Sequence, residues 1–200
     1  MNDNALIFDF ETLSQNPING ALVSCALLTF NMNVLEQSGY AYEDLLSRVK
    51  YFKFDVKNQV RNWNRNVDPK TIEWWEQQSK EALETIKPSE NDKPLPEFMP
   101  WFTSNFDRSK LSYIFSRNNT FDPVIIQSIC NDFSLPIPYD WWKIRDTKSL
   151  IMGLTYGHNI RDSFIPPDAE HKYVKHDPRH DVVLDVMRLQ VLIHTIHGGK

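Results

Sequence analysis

The sequence predicts an α/β domain, a mixed β-sheet flanked by helices on both faces, and three observations carry that prediction. Extended apolar runs come first, at Ala5 to Phe10 and Ala21 to Phe30, followed by strand patterns at Val34 to Tyr40, Val49 to Val56 and Lys110 to Ser116. Capped helix starts then interleave with them, at Asp68-Pro69, Ser79-Lys80, Asp122-Pro123 and Asp146. The chain closes on its clearest helix, which begins near Pro178 and ends at Gly198-Gly199. Along it Val182, Val186, Leu189, Ile193 and Ile196 recur at 4-3-4-3 spacing, the apolar stripe of a helix that packs on a core.

Ala5 to Glu11 reads as a central strand that meets solvent at its C-terminal edge, because its apolar run begins to alternate only there. Asn31-Met32-Asn33 is a turn signal, so the strands before and after it are expected to form an antiparallel meander. Prolines at 88, 94, 96 and 100 interrupt the middle of the chain, where Glu97 to Phe106 recovers as a helix in a surface region. Asp140 to Arg145 is expected to be irregular or a short strand, and Asp146 to cap a helix through about Met152. Residues 1–200 fit a single domain, with 41% hydrophobic content to build its core.

A net charge of −4 excludes a protein that wraps nucleic acid by overall positive charge, and carboxylates gathered at a metal site would contribute to it. No apolar run reaches the ~20 residues that span a bilayer. The opening Met-Asn-Asp-Asn lacks a basic leader, so the expectation is a cytoplasmic protein without a membrane partner. Cys25 and Cys130 both sit in apolar runs, where reduced thiols behave as small hydrophobes.

The chemistry-bearing residues begin with Asp9 and Glu11, one residue apart on a strand and therefore on the same face. Two adjacent carboxylates repel, and the pair is stable only if protonated, exposed or bound to a cation. Hard carboxylate oxygens suit Mg2+ or Mn2+, and a two-metal site needs several of them from different elements. Asp122 lies at a helix start after a strand, and Asp181 lies in the first turn of the last helix. His176 occupies the loop that feeds this helix, where an imidazole with a pKa near ~6.5 is suited to accept a proton near neutral pH.

These residues carry a resemblance. Asp9-Phe10-Glu11-Thr12, Asn119-Thr120-Phe121-Asp122 and the His-x-x-x-x-Asp pair His176 and Asp181 resemble the three motifs of the DEDDh 3′→5′ exonucleases. Thr71-Ile72-Glu73-Trp74-Trp75, Trp142-Lys143-Ile144-Arg145-Asp146 and the doubled His-Asp at 176–177 and 180–181 look most like the exonuclease A group of T-even bacteriophages. The resemblance implies a ribonuclease-H-like fold and a single-stranded DNA 3′ end, or RNA, as substrate. It also implies two divalent cations held by Asp9, Glu11, Asp122 and Asp181, with His176 as general base. Thr12, with its neighbours Phe10 and Leu13, corresponds to the position that meets the terminal nucleotide. Monomer and homodimer both remain open.

Each residue also has a simpler reading. Asp122 before Pro123 is a plain helix cap, Asp181 a solvated first-turn acid, and Asp177 the cap of the last helix. His180 is expected to cap or face solvent. One member of each pair Trp74-Trp75 and Trp141-Trp142 should pack inward, and Trp75 is a candidate for stacking on a base. Arg48, Lys50, Lys53, Lys57, Arg61, Arg65 and Lys70 form either a solvated face or a phosphate-steering strip, and Arg117 and Arg145 are separate candidates for phosphate contact. A His-Asp phosphohydrolase would need further upstream ligands, and only His158 and His171 are available. A catalytically silent nucleic-acid module would lack at least one of the carboxylates or the histidine, and none is missing.

Overall fold

The computed structural model describes residues 3–156 and 160–197, the last two by backbone alone. Five strands form one sheet among these residues: β1 (Ala5–Thr12), β2 (Leu22–Phe30), β3 (Lys50–Lys53), β4 (Tyr113–Ser116) and β5 (Ile144–Asp146), in the order β3-β2-β1-β4-β5. β2 runs antiparallel to β1 and β3, whereas β4 and β5 run parallel to β1. The C-terminal ends of β1, β4 and β5 therefore share one edge of the sheet.

β1 is central, and its alternation divides the core. Leu6, Phe8 and Phe10 face one apolar cluster with α6 (Phe98–Ser104) and α7 (Asp122–Asp132). Ala5 and Ile7 face the other, built with α1 (Met32–Gln37), α2 (Tyr42–Arg48), α8 (Thr147–Thr155) and α9 (Pro178–His197). The period of two then places Asp9 and Glu11 on the α9 face, at the open end of the strand. Of the expected stripe on α9, Val182, Val186 and Leu189 are buried and Ile193 packs against the same cluster. Among the described residues no helix is long and apolar enough to cross a membrane. Cys25 and Cys130 are both free and buried.

The remaining helices are α3 (Val56–Asn62), α4 (Pro69–Trp75) and α5 (Lys80–Ile86). Asp68 and Ser79 cap α4 and α5 through Lys70 and Ala82 N–H groups, and Asp146 caps α8 through Ser149 N–H. The expected strand at Val34 to Tyr40 is instead α1. Asn31 accepts a hydrogen bond from Asn33 N–H and starts a helix, Leu35 is its one buried residue, and Gln190 of α9 holds both the N–H and the carbonyl of Tyr40. The third strand of the antiparallel group is β3, shorter than Val49 to Val56 because Asp55 caps α3. The strand expected at Lys110 to Ser116 begins only at Tyr113, after a turn of 3-10 helix at Arg108–Lys110. The Gly198-Gly199 helix end and His158 lie outside the described residues.

Gln59 stands in for a strand partner where β2 begins. Its Oε1 accepts Leu22 N–H at 3.0 Å and its Nε2 donates to Leu22 O at 2.8 Å, with the side chain fully buried. Gln59→Leu leaves both backbone groups unpaired, so urea denaturation should show a loss of about 1–3 kcal/mol with an unchanged m-value. A loss below about 0.5 kcal/mol would show that water or backbone movement replaces the pair.

Candidate active site

Asp9 and Glu11 end β1 at the floor of a cleft of about 540 Å3, which Arg117, Tyr173, His176, Asp181 and Arg188 also line. Glu11, His176 and Asp181 each offer a ligand atom, and these atoms lie within 4.8 Å of one another. The set comes from the first strand, from a loop and from the first turn of α9, so elements far apart in sequence meet here. Asp122 approaches from beneath. It is 3% exposed, and its Oδ1 accepts the Phe10 N–H at 3.1 Å, between the two β1 carboxylates. Its side chain is thus not the cap of α7; Phe121 holds that position.

The electrostatics reflect the crowding. Burial, then Asp122, Asp181, Glu11 and Asp185, hold the Asp9 carboxyl well above the usual range. Burial, then Asp181, Asp122 and Asp177, do the same for Glu11. Burial pushes Asp122 up to about 7 against the opposing Phe10 N–H, and Asp181 up to about 6 against the Tyr173 hydroxyl. Among the described residues, none of these four carboxylates makes an ion pair, although Arg188 lowers Asp181 at longer range. Burial, and then Lys175, lower the His176 pKa, which favours the neutral imidazole. Its Nε2 is buried without a hydrogen-bond partner.

The loop into α9 is fixed from both sides. Asp177 accepts the Arg179 N–H at 3.0 Å and holds the Arg179 guanidinium through both oxygens at 2.9 and 2.6 Å, as a helix cap pinned by charge. Arg179 in turn lies over the Tyr51 ring at 4.8 Å. His176 takes a left-handed backbone with φ of 63°, a conformation a non-glycine residue adopts only when its surroundings impose it. Tyr173 donates to Asp181 Oδ1 at 2.6 Å. His180 is half-buried rather than exposed, with its Nδ1 2.6 Å from the Tyr42 hydroxyl.

Asp185, one turn beyond Asp181 on the same side of α9, had a sequence signal in its i+4 spacing. It is buried and accepts from Arg117 Nη1 at 2.6 Å, Thr147 Oγ1 at 2.5 Å and Arg188 Nη1 at 2.8 Å. Arg117 and Arg188 both line the cleft and are held there by an acid that is not one of the four, and Lys175 lines it beside them. Arg188 follows from helical spacing in the same way; Tyr173 and Tyr42 leave no comparable signal.

Arg145 is not brought to the cleft: it is exposed and turns back on the carbonyls of Trp142 and Ile144. The side chains of Phe10 and Leu13 are buried in the core. Thr12 borders a smaller pocket of about 210 Å3 with Glu11, Gln15, Thr71, Trp74 and Phe121. Trp75 is 1% exposed, and its indole N–H donates to the Thr12 carbonyl at 3.0 Å, so no face is free for a base; Trp74, 41% exposed, presents the open ring. Trp141 and Trp142 are both exposed, on the 3-10 turn that leads into the edge strand β5, and neither ring packs inward. The positive strip is broken too, since Arg65 is buried against Asp132 and Arg48 pairs with Asp3.

Comparisons with known proteins give the family and the fold. The family model described as 3′-5′ exoribonuclease Rv2179c-like domain matches residues 4–187. An exodeoxyribonuclease of Enterobacteria phage T4 is 28% identical over 213 residues, covering 96% of this chain and 90% of that protein. The apo structure of exonuclease I matches 98% of this chain with a TM-score of 0.63 at 16% identity. E. coli exonuclease I in complex with a 5cy-dT13 oligonucleotide matches 100% of it with a TM-score of 0.61 at 16% identity. The chain spans 42% of each exonuclease I chain, and at that identity the likeness shows the ribonuclease-H-like fold. With its carboxylates and histidine gathered at one end of such a sheet, this chain belongs to the Rv2179c-like 3′-5′ exoribonuclease family, a family of nucleases.

Proposed function

We propose that this protein removes nucleotides from the 3′ end of single-stranded DNA, releasing nucleoside 5′-monophosphates, with two divalent cations, Mg2+ or Mn2+, at Asp9, Glu11, Asp122 and Asp181. The convergence of Glu11, His176 and Asp181 within 4.8 Å is the observation that carries the reading. The donor set fits such ions: hard carboxylate oxygens that burial and neighbouring acids hold above their usual range, where bound positive charge would relieve them. When bound, divalent cations supply Lewis acidity to the phosphodiester and to water.

The residues of the chain supply the rest. Neutral His176 takes the proton from the attacking water on an imidazole nitrogen, and burial keeps it in that form near neutral pH. Water attacks phosphorus, the bond from phosphorus to the 3′ oxygen breaks, and the shortened strand keeps that oxygen, which takes a proton from solvent to become its new 3′ hydroxyl. Arg117, steadied by Asp185, faces the cleft where it can pair with a phosphate. The hydroxyl of Tyr173 fixes one oxygen of Asp181. Thr12 and Trp74 border the neighbouring pocket, where the terminal nucleotide would sit.

DNA is favoured over RNA by the name of the T4 relative, which matches over 90% of its length. The description of the family model favours exoribonuclease activity as the second reading. Digestion of matched 3′-hydroxyl DNA and RNA oligonucleotides in Mg2+ or Mn2+ separates them. Laddering from the 3′ end of DNA is expected, and Asp9→Ala should abolish it with the circular dichroism spectrum intact. Shortening of RNA alone overturns the DNA reading, and cleavage retained by the variant removes Asp9 from the mechanism.

The carboxylates also make the metal-free protein sensitive to pH. Asp122 and Asp181 titrate near 7 and 6 in the fold against an ordinary 3.8, so the folded chain binds more protons than the unfolded one between those values. Their contribution is fully present below pH 3.8 and is lost as pH rises through 6 and 7. After chelation the protein should melt at a lower temperature at pH 7.5 than at pH 5, and added Mn2+ should raise the pH 7.5 melt most. A melting temperature that does not fall between the two pH values would contradict the buried repulsion.

A further inference from the structure

We propose that Trp74 is a positioning residue for His176, an inference that rests on the nuclease reading above. Among the described residues, no protein group hydrogen-bonds the His176 imidazole, so its orientation depends on packing and on its imposed backbone. That packing comes from α4. The Trp74 ring meets the imidazole edge-to-face, with centroids 4.8 Å apart and planes at 73°. Trp75 approaches it similarly at 6.0 Å and 76°, and the two indoles stand edge-to-face at 5.1 Å. This is the geometry that aromatic quadrupoles favour, and it restricts both the tilt and the place of the smaller ring.

The pair of indoles is itself anchored. Trp75 is buried and donates its N–H to the carbonyl of Thr12, the residue after Glu11. Asp68, the cap of α4, donates its own N–H to the carbonyl of Leu13. The end of β1 thus sets the height of α4, and α4 sets the imidazole against Glu11 and Asp181. None of the four carboxylates lies on α4, so this link adds a fifth element to the site. A flexible loop could not hold His176 to the tolerance that proton transfer requires, since a displacement of about 1 Å costs roughly a hundredfold in rate.

Trp74 also borders the small pocket beside Thr12, so its ring could instead serve only as a platform for a base. A double-mutant cycle separates the two roles. Single-turnover rates and half-saturating enzyme concentrations are measured on a short 3′-hydroxyl DNA oligonucleotide and its RNA counterpart. The proteins compared are wild type, Trp74→Leu, Trp74→Phe, His176→Ala and Trp74→Leu with His176→Ala. Positioning predicts that Trp74→Leu lowers the maximal rate by roughly tenfold or more, whatever the accompanying change in half-saturation. Trp74→Phe, which keeps an aromatic edge, should recover most of the rate, and Trp74→Leu should cost nothing further once His176 is alanine. Trp74→Met replaces the leucine variant should the latter melt below the assay temperature. The proposal is overturned by an equal loss in both backgrounds, by a change confined to half-saturation, or by no change at all. Absence of hydrolysis of either oligonucleotide by the wild type overturns the nuclease reading itself, and this inference with it.

Discussion

Mutual repulsion among carboxylates is the constraint on which the site depends. Asp9 and Glu11 leave the same face of β1, Asp181 comes down from α9, and Asp122 rises beneath the strand to the Phe10 N–H. Each is held above its ordinary pKa, with burial as the first cause for all four. A fold that gathers such groups without an ion pair sacrifices stability, and sites that do this are where positive charge from a ligand is expected. The fixed hydrogen bonds from Phe10 and Tyr173 keep the carboxylates aimed despite that repulsion.

α9 is the element through which the rest of the molecule answers this constraint. Its apolar side buries Val182, Val186 and Leu189 against the sheet, which fixes its distance from β1. Its polar side carries Asp181 and Asp185, and Asp185 collects Arg117, Arg188 and Thr147 into one network. Two arginines at the cleft wall are therefore bound to a neighbouring acid and do not neutralise the four carboxylates directly. That arrangement leaves cationic groups facing the cleft beside the carboxylates.

The parts legible in sequence were those with long or unambiguous patterns. β1 and α9 each combine a strong apolar period with a charged end, and the spacing of His176 and Asp181 carried the third motif. The capped starts at Asp68, Ser79 and Asp146 were legible because the capping side chains do there what their chemistry favours. α1 was not, because its apolar pattern is too short to separate a helix from a strand, and its docking to Gln190 of α9 depends on residues about 150 positions away. The division of labour between Trp74 and Trp75 was also hidden: neighbours on a helix face different surroundings, and only the fold decides which ring meets the core.

The most direct measurement of the central claim is anomalous diffraction from crystals grown with Mn2+. Two peaks are expected among Asp9, Glu11, Asp122 and Asp181, about 3.5–4 Å apart, with the His176 imidazole facing them. Crystals saturated with Mn2+ that show no peak among these carboxylates would contradict it.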